Sequence, residues 1–112
     1  MDCLFCKIIN GDIPSEKVYE DDLVYAFKDI NPEAPVHFLI VPKEHIKSAY
    51  ELDEAHKELI GHVFLVAKKV LKDMGIENGF RIVNNAREDG GQTVDHLHFH
   101  VLAGRSLNWP PG

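Results

Sequence analysis

The sequence has few cysteines, few basic residues and no long apolar run, and each shortage excludes a class of protein. Two cysteines in 112 residues are too few for a secreted scaffold held by disulfides. Lys and Arg number 12 against 18 Asp and Glu, and the formal net charge of −6 disfavours nucleic acid as a partner. No window approaches the roughly 18 apolar residues of a membrane span, and Asp2 stands where a signal peptide carries positive charge. We therefore expect a cytoplasmic protein that binds neither membranes nor nucleic acids.

Length and hydrophobic pattern predict one domain of the α+β class. Residues 1–112 contain no repeat, linker or low-complexity segment, and 104–112 are expected to form a C-terminal tail. Apolar residues recur with a helical period from Leu59 to Met74, which predicts one long helix that has Asp53 as its N-cap and stops at Gly75. A short helix is expected over residues 3–10.

Five short runs rich in β-branched and aromatic residues predict the strands. They cover residues 17–20, 23–27, 37–41, 80–84 and 96–102, and residues 85–92 are expected to form a loop. Most connections are short enough for hairpins, and only one is a long crossover. An antiparallel sheet of about five strands with helices packed on it is therefore expected.

The segment 96–102, His-Leu-His-Phe-His-Val-Leu, is the strongest chemical signal. On a strand, this alternation places three imidazoles on one face, with neighbouring rings about 7 Å apart. An ordinary solvent-exposed polar face is a poor explanation for these three histidines. If they are buried they need hydrogen-bond or metal partners, because an imidazole is costly to bury alone. Two functions remain open. One imidazole attacks phosphorus while the Gly-Gly-Gln-Thr turn at 90–93 holds phosphate oxygens, or two or three imidazoles bind a catalytic zinc ion.

Nearly the whole chain resembles the histidine-triad (HIT) family. The similarity rests on the alternating histidines, the preceding Gly-Gly-Gln-Thr, the Ala-Pro-Val-His-Phe segment at 34–38 and the terminal Asn-Trp-Pro-Pro-Gly. The chain is most similar to the nucleoside phosphoramidase branch, which favours the nucleophile over the catalytic zinc. The resemblance implies a HIT-like antiparallel sheet that continues across a homodimer, paired through the long helix and the adjoining strand.

The resemblance implies hydrolysis of purine nucleoside 5'-phosphoramidates, of the AMP or GMP class, through a nucleotidyl-histidine intermediate. By this resemblance His98 attacks the phosphorus, and His100 and His37 assist. The nucleotide-binding positions it implies are Leu4, Phe5, Ile8, Ile13, Phe27, Asp29, Ile30, Asn85, Gly91, Gln92, Thr93 and Trp109. Asp29 could instead be a turn carboxylate, and the apolar members ordinary core residues. The alternatives are a dinucleoside polyphosphate hydrolase, a nucleotidyl transferase, or a nucleotide-binding scaffold with incidental hydrolysis.

The resemblance also implies that Cys3 and Cys6 bind a metal ion. Its spacing occurs in metal half-sites, in redox pairs and by chance. Some bacterial family members hold a structural zinc with two such cysteines and two histidines, and Cys3, Cys6, His45 and His96 match that set. A site closed by four protein ligands has no open position for a reacting water, so no catalytic metal is expected. The alternative is a pair of reduced cysteines packed as small hydrophobes.

Overall fold

The fold consists of a five-stranded sheet, one long helix and two short ones, as the computed structural model shows for residues 2–112. Residue 1, the first of the predicted domain, lies outside the described residues. The elements in chain order are α1 (Leu4–Ile9), β1 (Lys17–Glu20), β2 (Val24–Lys28), β3 (Val36–Pro42), α2 (Lys57–Asp73), β4 (Phe80–Val83), α3 (Arg87–Gly90) and β5 (Phe99–Ala103).

The strands form one antiparallel sheet in the order β1-β2-β3-β5-β4. This confirms the predicted α+β class. In the centre of the sheet, Leu39 lies opposite His100 and His37 lies opposite Leu102. Directly opposed residues of an antiparallel pair point to the same side. The histidines of β3 and β5 therefore share one face.

The long helix covers the other face of the sheet. Its buried stripe consists of Leu59, Val63, Val66, Ala67, Val70 and Leu71. These residues pack on Ala26, Phe38, Ile40, Phe99 and Val101 of the central strands. This face is the main apolar core, and its burial is the chief stabilising contribution to the fold. No helix within residues 2–112 is long and apolar enough to cross a membrane.

The predicted start of the long helix is displaced by one turn. Asp53 does accept a hydrogen bond from the Ala55 N–H, but the turn that it caps is the 3-10 segment Glu54–His56. His56 completes a capping box by accepting from the Asp53 N–H, and α2 continues directly from Lys57. The cap is therefore where the sequence predicts it, one tight turn ahead of the α-helix.

Two further expectations are wrong in part. Residues 85–92 are not all loop, because Arg87–Gly90 form a helical turn that ends at Gly91 in the left-handed region, with φ of 79°. The last strand begins at Phe99 and not at residue 96. Continuing the register of β3 and β5 would place Leu97 opposite Pro42, which has no N–H to donate, and the Leu97 N–H instead donates to the Ile46 carbonyl (2.6 Å).

Candidate functional site

The alternation of the histidine segment survives although its first three residues precede β5. Leu97, like Phe99 and Val101, lies in the core under α2. His96 and His98 are buried, whereas His100 is partly exposed. The ring centroids of His98 and His100 are 5.2 Å apart, closer than the roughly 7 Å expected between alternate side chains of a strand. The rings of His98 and His100 therefore tilt into contact.

The hydrogen bond of His98 defines which of its nitrogens is free. Its Nδ1 lies 2.7 Å from the His96 carbonyl oxygen. A carbonyl only accepts, so Nδ1 carries the proton and Nε2 of the neutral ring keeps its lone pair. Burial lowers the pKa of His98 below its usual value, which favours the neutral ring at pH 7. A buried neutral imidazole with Nε2 unprotonated is a competent nucleophile.

His37 and His100 form a second directed hydrogen bond beside His98. The Glu33 N–H donates to Nδ1 of His37 (3.0 Å), so the proton of a neutral His37 lies on Nε2. This Nε2 lies 2.9 Å from Nδ1 of His100 and 3.4 Å from a carboxylate oxygen of Asp29. When His37 donates to His100, the proton of His100 is placed on Nε2, where it can be given to another molecule.

Asp29, His37, His98 and His100 are hereafter the Asp–His cluster. Within it, burial first and then the neighbouring His98 and His37 lower the pKa of His100 to about 4. One carboxylate oxygen of Asp29 accepts the Asn31 N–H in a turn (2.8 Å), and the other faces His37 and His100. The cluster combines three imidazoles with one carboxylate.

The four residues of the expected metal site also come together. The ligand atoms of Cys3, Cys6, His45 and His96, hereafter the Cys–His cluster, all lie within 4.8 Å of one another. Nδ1 of His96 lies 3.3 Å from Sγ of Cys3 and 3.2 Å from Nδ1 of His45. The cluster joins three separate segments, since Cys3 caps α1, His45 follows β3 and His96 precedes β5.

The chemistry of this donor set fits a structural zinc ion. Nε2 of His96 donates to the Pro42 carbonyl (2.8 Å), which leaves the Nδ1 lone pair directed at the cluster. Burial first, and then the Cys3 sulfur, raise the pKa of Cys6 to about 11. A bound cation reverses that preference, because thiolates are its ligands. Two sulfurs and two imidazole nitrogens are a common tetrahedral zinc set.

The predicted apolar nucleotide contacts divide into a buried and an exposed group. Phe5, Ile8 and Phe27 are buried and Ile13 packs against them, so these side chains are core residues of the histidine face. The exposed members are Leu4, Ile30 and Trp109. Ile30 is 92% exposed and directly follows Asp29. Its free apolar surface therefore lies next in sequence to the Asp–His cluster.

The turn at 90–93 is organised by the Gln92 side chain. Its amide nitrogen donates to the Lys47 carbonyl (2.7 Å) and the Val94 carbonyl (3.0 Å), and its oxygen accepts the Arg87 N–H (2.8 Å). The structure thus places Gln92 as a brace of the loop. Thr93 and Gly91 are exposed and Asn85 is half-buried.

Three groups that orient the histidines have no role in the sequence-based prediction. Asn84 donates from its side chain to the His98 carbonyl (2.9 Å), the Glu33 N–H holds His37, and the Pro42 carbonyl holds His96. A polar residue at the end of β4 is a weak sequence signal for the first. The other two are main-chain groups, a carbonyl that every residue type has and an N–H that every type except proline has.

Known proteins resemble this chain over nearly its whole length. The HIT domain family model matches residues 10–107. The chain is 50% identical over 111 residues to an uncharacterized HIT-like protein of Synechococcus elongatus, covering 99% of this chain and 97% of that protein. It is 49% identical over 111 residues to a 14 kDa zinc-binding protein of Zea mays, with coverages of 97% and 87%.

Solved structures give the same result for the fold. A HIT family hydrolase from Legionella pneumophila superimposes with a TM-score of 0.96 at 46% identity, covering 99% of this chain and all of that one (100%). A histidine triad protein from Clostridium difficile gives a TM-score of 0.93 at 51% identity, with coverages of 96% and 95%. The family model, a sequence relative and a solved structure therefore all carry the HIT description.

Proposed function

The chain belongs to the HIT domain family, and we propose that it hydrolyses purine nucleoside 5'-phosphoramidates through a nucleotidyl-histidine intermediate. The observation that carries the proposal is the pair of directed rings: His98 presents an unprotonated Nε2, and His100 beside it presents a protonated one. A nucleophile and a proton donor are the two groups that cleavage of a P–N bond requires.

In the first step, Nε2 of His98 attacks the α-phosphorus and the bond to the amine nitrogen breaks. The departing amine takes the proton from Nε2 of His100. The negative charge left on that ring is stabilised by the hydrogen bond from Nε2 of His37 and is offset by the positive charge formed on His98 beside it. The nucleotidyl-imidazolium formed at His98 still donates from Nδ1 to the His96 carbonyl. That hydrogen bond strengthens as the ring becomes positive, so it stabilises the intermediate more than the resting ring.

In the second step, water attacks the phosphorus of the intermediate. His100 takes a proton from this water, the P–N bond to His98 breaks, and a nucleoside 5'-monophosphate leaves. Each ring thereby returns to its starting tautomer. The balanced reaction consumes one phosphoramidate and one water, and it releases one amine and one nucleoside monophosphate.

The remaining predicted residues give the proposal its substrate class. We assign Asp29 as the acceptor for the ribose hydroxyls, because its carboxylate lies at the edge of the cluster and hydroxyls are donors. Ile30 and Leu4 offer exposed apolar surface to a purine, and Phe5, Ile8, Ile13 and Phe27 belong to the apolar cluster of the histidine face. Asn85, Gly91 and Thr93 are assigned to the phosphate and leaving-group side, and Gln92, whose side-chain amide is hydrogen-bonded to main-chain groups, is assigned there as the brace of the turn.

The Cys–His cluster is proposed to hold a structural zinc ion. Its four protein ligands would complete a tetrahedron and leave no position for a reacting water. When bound, the metal would tie α1 to the segments that follow β3 and precede β5. The reaction above uses none of these four side chains as an acid, base or nucleophile.

A homodimer is proposed for the same chain. The edge strand β4 and the helix α2 present Phe64, Leu65 and Phe80, which are 46 to 66% exposed. Pairing two β4 edges around a twofold axis would cover these side chains and join the two sheets. The tail 104–112, with Trp109, would then extend toward the partner subunit. Analytical ultracentrifugation of the wild type and of F80E tests this: the charged variant should be a monomer.

The decisive experiment measures steady-state hydrolysis of a fluorogenic adenosine 5'-phosphoramidate by the wild type and by H98A, each with and without a strong chelator. We expect H98A to retain less than about a hundredth of the wild-type rate, because a covalent nucleophile is lost. H98N controls for packing. A diadenosine polyphosphate in competition tests the leaving group. Activity lost to the chelator while the protein remains folded would assign catalysis to a metal and refute the proposal.

A further inference from the structure

The C-terminal tail leaves the sheet against the loop that precedes β3. Ala103, the last residue of β5, lies opposite Val36, the first residue of β3. Gly104 follows with φ of 94°, and a Cβ built on it would lie 3.0 Å from Cβ of Pro35. Any other residue would be strained here and would contact Pro35 too closely. The glycine therefore lets the tail run along the loop.

Arg105, the next residue, joins the tail to this loop. Its Nη2 donates to the Glu33 carbonyl at 2.9 Å, and its Nη1 donates to the carbonyl of Ser106 at 2.9 Å. The bond to Glu33 connects positions that are 72 residues apart in the chain. The guanidinium is always charged, so it is a strong donor to a carbonyl.

Glu33, the loop residue that Arg105 contacts, also sets the orientation of His37. The Glu33 N–H donates to Nδ1 of His37 at 3.0 Å, while the Glu33 carbonyl accepts from Arg105. The two peptide units that flank the Cα of Glu33 are thus each held by one partner. This chain of hydrogen bonds from Arg105 through Glu33 continues from His37 to His100, since Nε2 of His37 lies 2.9 Å from Nδ1 of His100.

We propose that Arg105 is a positioning residue of the Asp–His cluster. By fixing the Glu33 carbonyl it holds the Glu33 N–H on His37, which keeps the proton of His37 on Nε2 and the proton of His100 on its own Nε2. The catalytic consequence rests on the proposed function, because His100 needs that proton for the departing amine. The effect on the tautomers does not depend on it.

A second arginine provides a matched control. Arg81, on β4, donates to the carbonyls of Leu107 (3.5 Å) and Asn108 (2.9 Å). These partners belong to the tail, and none of them contacts Glu33 or His37 through a hydrogen bond in the described residues. Substitution of Arg81 therefore loosens the tail without removing the bond to the loop.

The experiment compares the wild type with R105M, R105K and R81M. Long-range ¹H–¹⁵N correlation spectra of the imidazoles report the tautomers of His37 and His100 without substrate. We expect Nε2–H for both rings in the wild type and R81M, and a mixture of tautomers for His37 in R105M. R105M should lose about fivefold in kcat with KM within about twofold, the effect of one lost hydrogen bond. R105K keeps a charged donor and should recover part of the loss.

The tautomer spectra separate the failure of this inference from failure of the proposed function. A wild type that hydrolyses no phosphoramidate refutes the function, yet the spectra still decide whether Arg105 orders His37. Wild-type spectra and wild-type kcat in R105M would overturn the positioning role. So would an equal loss in R81M, which would assign the effect to the tail as a whole, or an R105K variant that recovers none of the kcat.

Discussion

The Cys–His cluster and the Asp–His cluster use neighbouring histidines of one segment in opposite ways. His96 and His98 are both buried, and each gives one ring N–H to a main-chain carbonyl. His96 gives Nε2–H, so its free nitrogen is Nδ1, close to its own backbone. His98 gives Nδ1–H, so its free nitrogen is Nε2, at the far end of the ring. The position of one carbonyl therefore decides whether a histidine keeps its lone pair on Nδ1, toward the Cys–His cluster, or on Nε2, in the Asp–His cluster.

The largest expected effect is on the Cys–His cluster alone. Zinc at about a thousand times its Kd should stabilise the wild type by about 4 kcal/mol. At about 4 °C for each kcal/mol, this raises the Tm by about 15 °C. The double variant C3S/C6S should show no such rise, because its hydroxyls are poor zinc ligands. Calorimetry with and without zinc measures both, with H56Q, outside both clusters, as the control. A wild type that zinc does not stabilise would leave the cysteines as packing residues.

Phe5 lies against both clusters, so its removal should weaken both. Its ring contacts His98 (centroids 5.1 Å apart), His96 (5.9 Å) and Phe27 (5.6 Å) edge to face. F5A should lose about 3 kcal/mol of unfolding free energy in urea, because it leaves a cavity. It should also reduce zinc affinity and kcat. F27A removes a buried ring whose aromatic neighbours are Phe5 and Tyr25. If F27A reduces zinc affinity as much as F5A does, Phe5 has no special place between the clusters.

Much of this architecture could be predicted from the sequence because it depends on side-chain period. The stripe from Leu59 to Leu71 and the alternation from Leu97 to Val101 each bury one face, and the structure has both. What could not be predicted depends on main-chain groups. The Pro42 and His96 carbonyls and the Glu33 N–H select the free ring nitrogens, and no residue type marks them in a sequence.

The helical turn Arg87–Gly90 was unpredicted for a related reason. Its residues are polar and exposed, so they show no apolar period. The turn is held by the Gln92 side chain, which accepts the Arg87 N–H and makes a tertiary hydrogen bond to the Lys47 carbonyl. Local sequence therefore indicated a loop, and a contact across 45 residues made it a braced turn.

Substitution of His37 tests the Asp–His cluster, and we expect a fall in kcat that is smaller than that of H98A and larger than that of R105M. H37A removes the donor to Nδ1 of His100, so the proton of His100 is no longer directed to Nε2. We expect kcat to fall about thirtyfold, less than the roughly hundredfold or more typical of a group that transfers the proton itself. Zinc affinity should remain within about twofold. Kinetics on the phosphoramidate and zinc titration measure the two. A loss of zinc affinity equal to the loss of kcat would mean that the clusters are not separate.

The smallest expected effect comes from a histidine–carboxylate pair that lies outside both clusters. Asp21 accepts from His62 (2.6 Å), Tyr19 and the main-chain N–H groups of Leu23 and Val24. Burial raises the pKa of Asp21, but the hydrogen bonds from His62, Val24, Leu23 and Tyr19 outweigh it and bring the pKa to about 2, below the ordinary 3.8.

A depressed pKa makes the ionised carboxylate of Asp21 a stabilising group above the pKa of the unfolded chain. D21N should therefore lose about 1 kcal/mol at pH 7, a value reduced for solvent because the Asp21 side chain is 24% exposed. The difference from the wild type should persist down to about pH 4 and shrink as the pH falls toward 2, where Asp21 becomes protonated. Urea unfolding at pH 7, 4 and 2.5, with chelator present throughout to remove any metal contribution, measures it. A difference that stays constant to pH 2.5 would show that the charge of Asp21 contributes nothing to the free energy of unfolding.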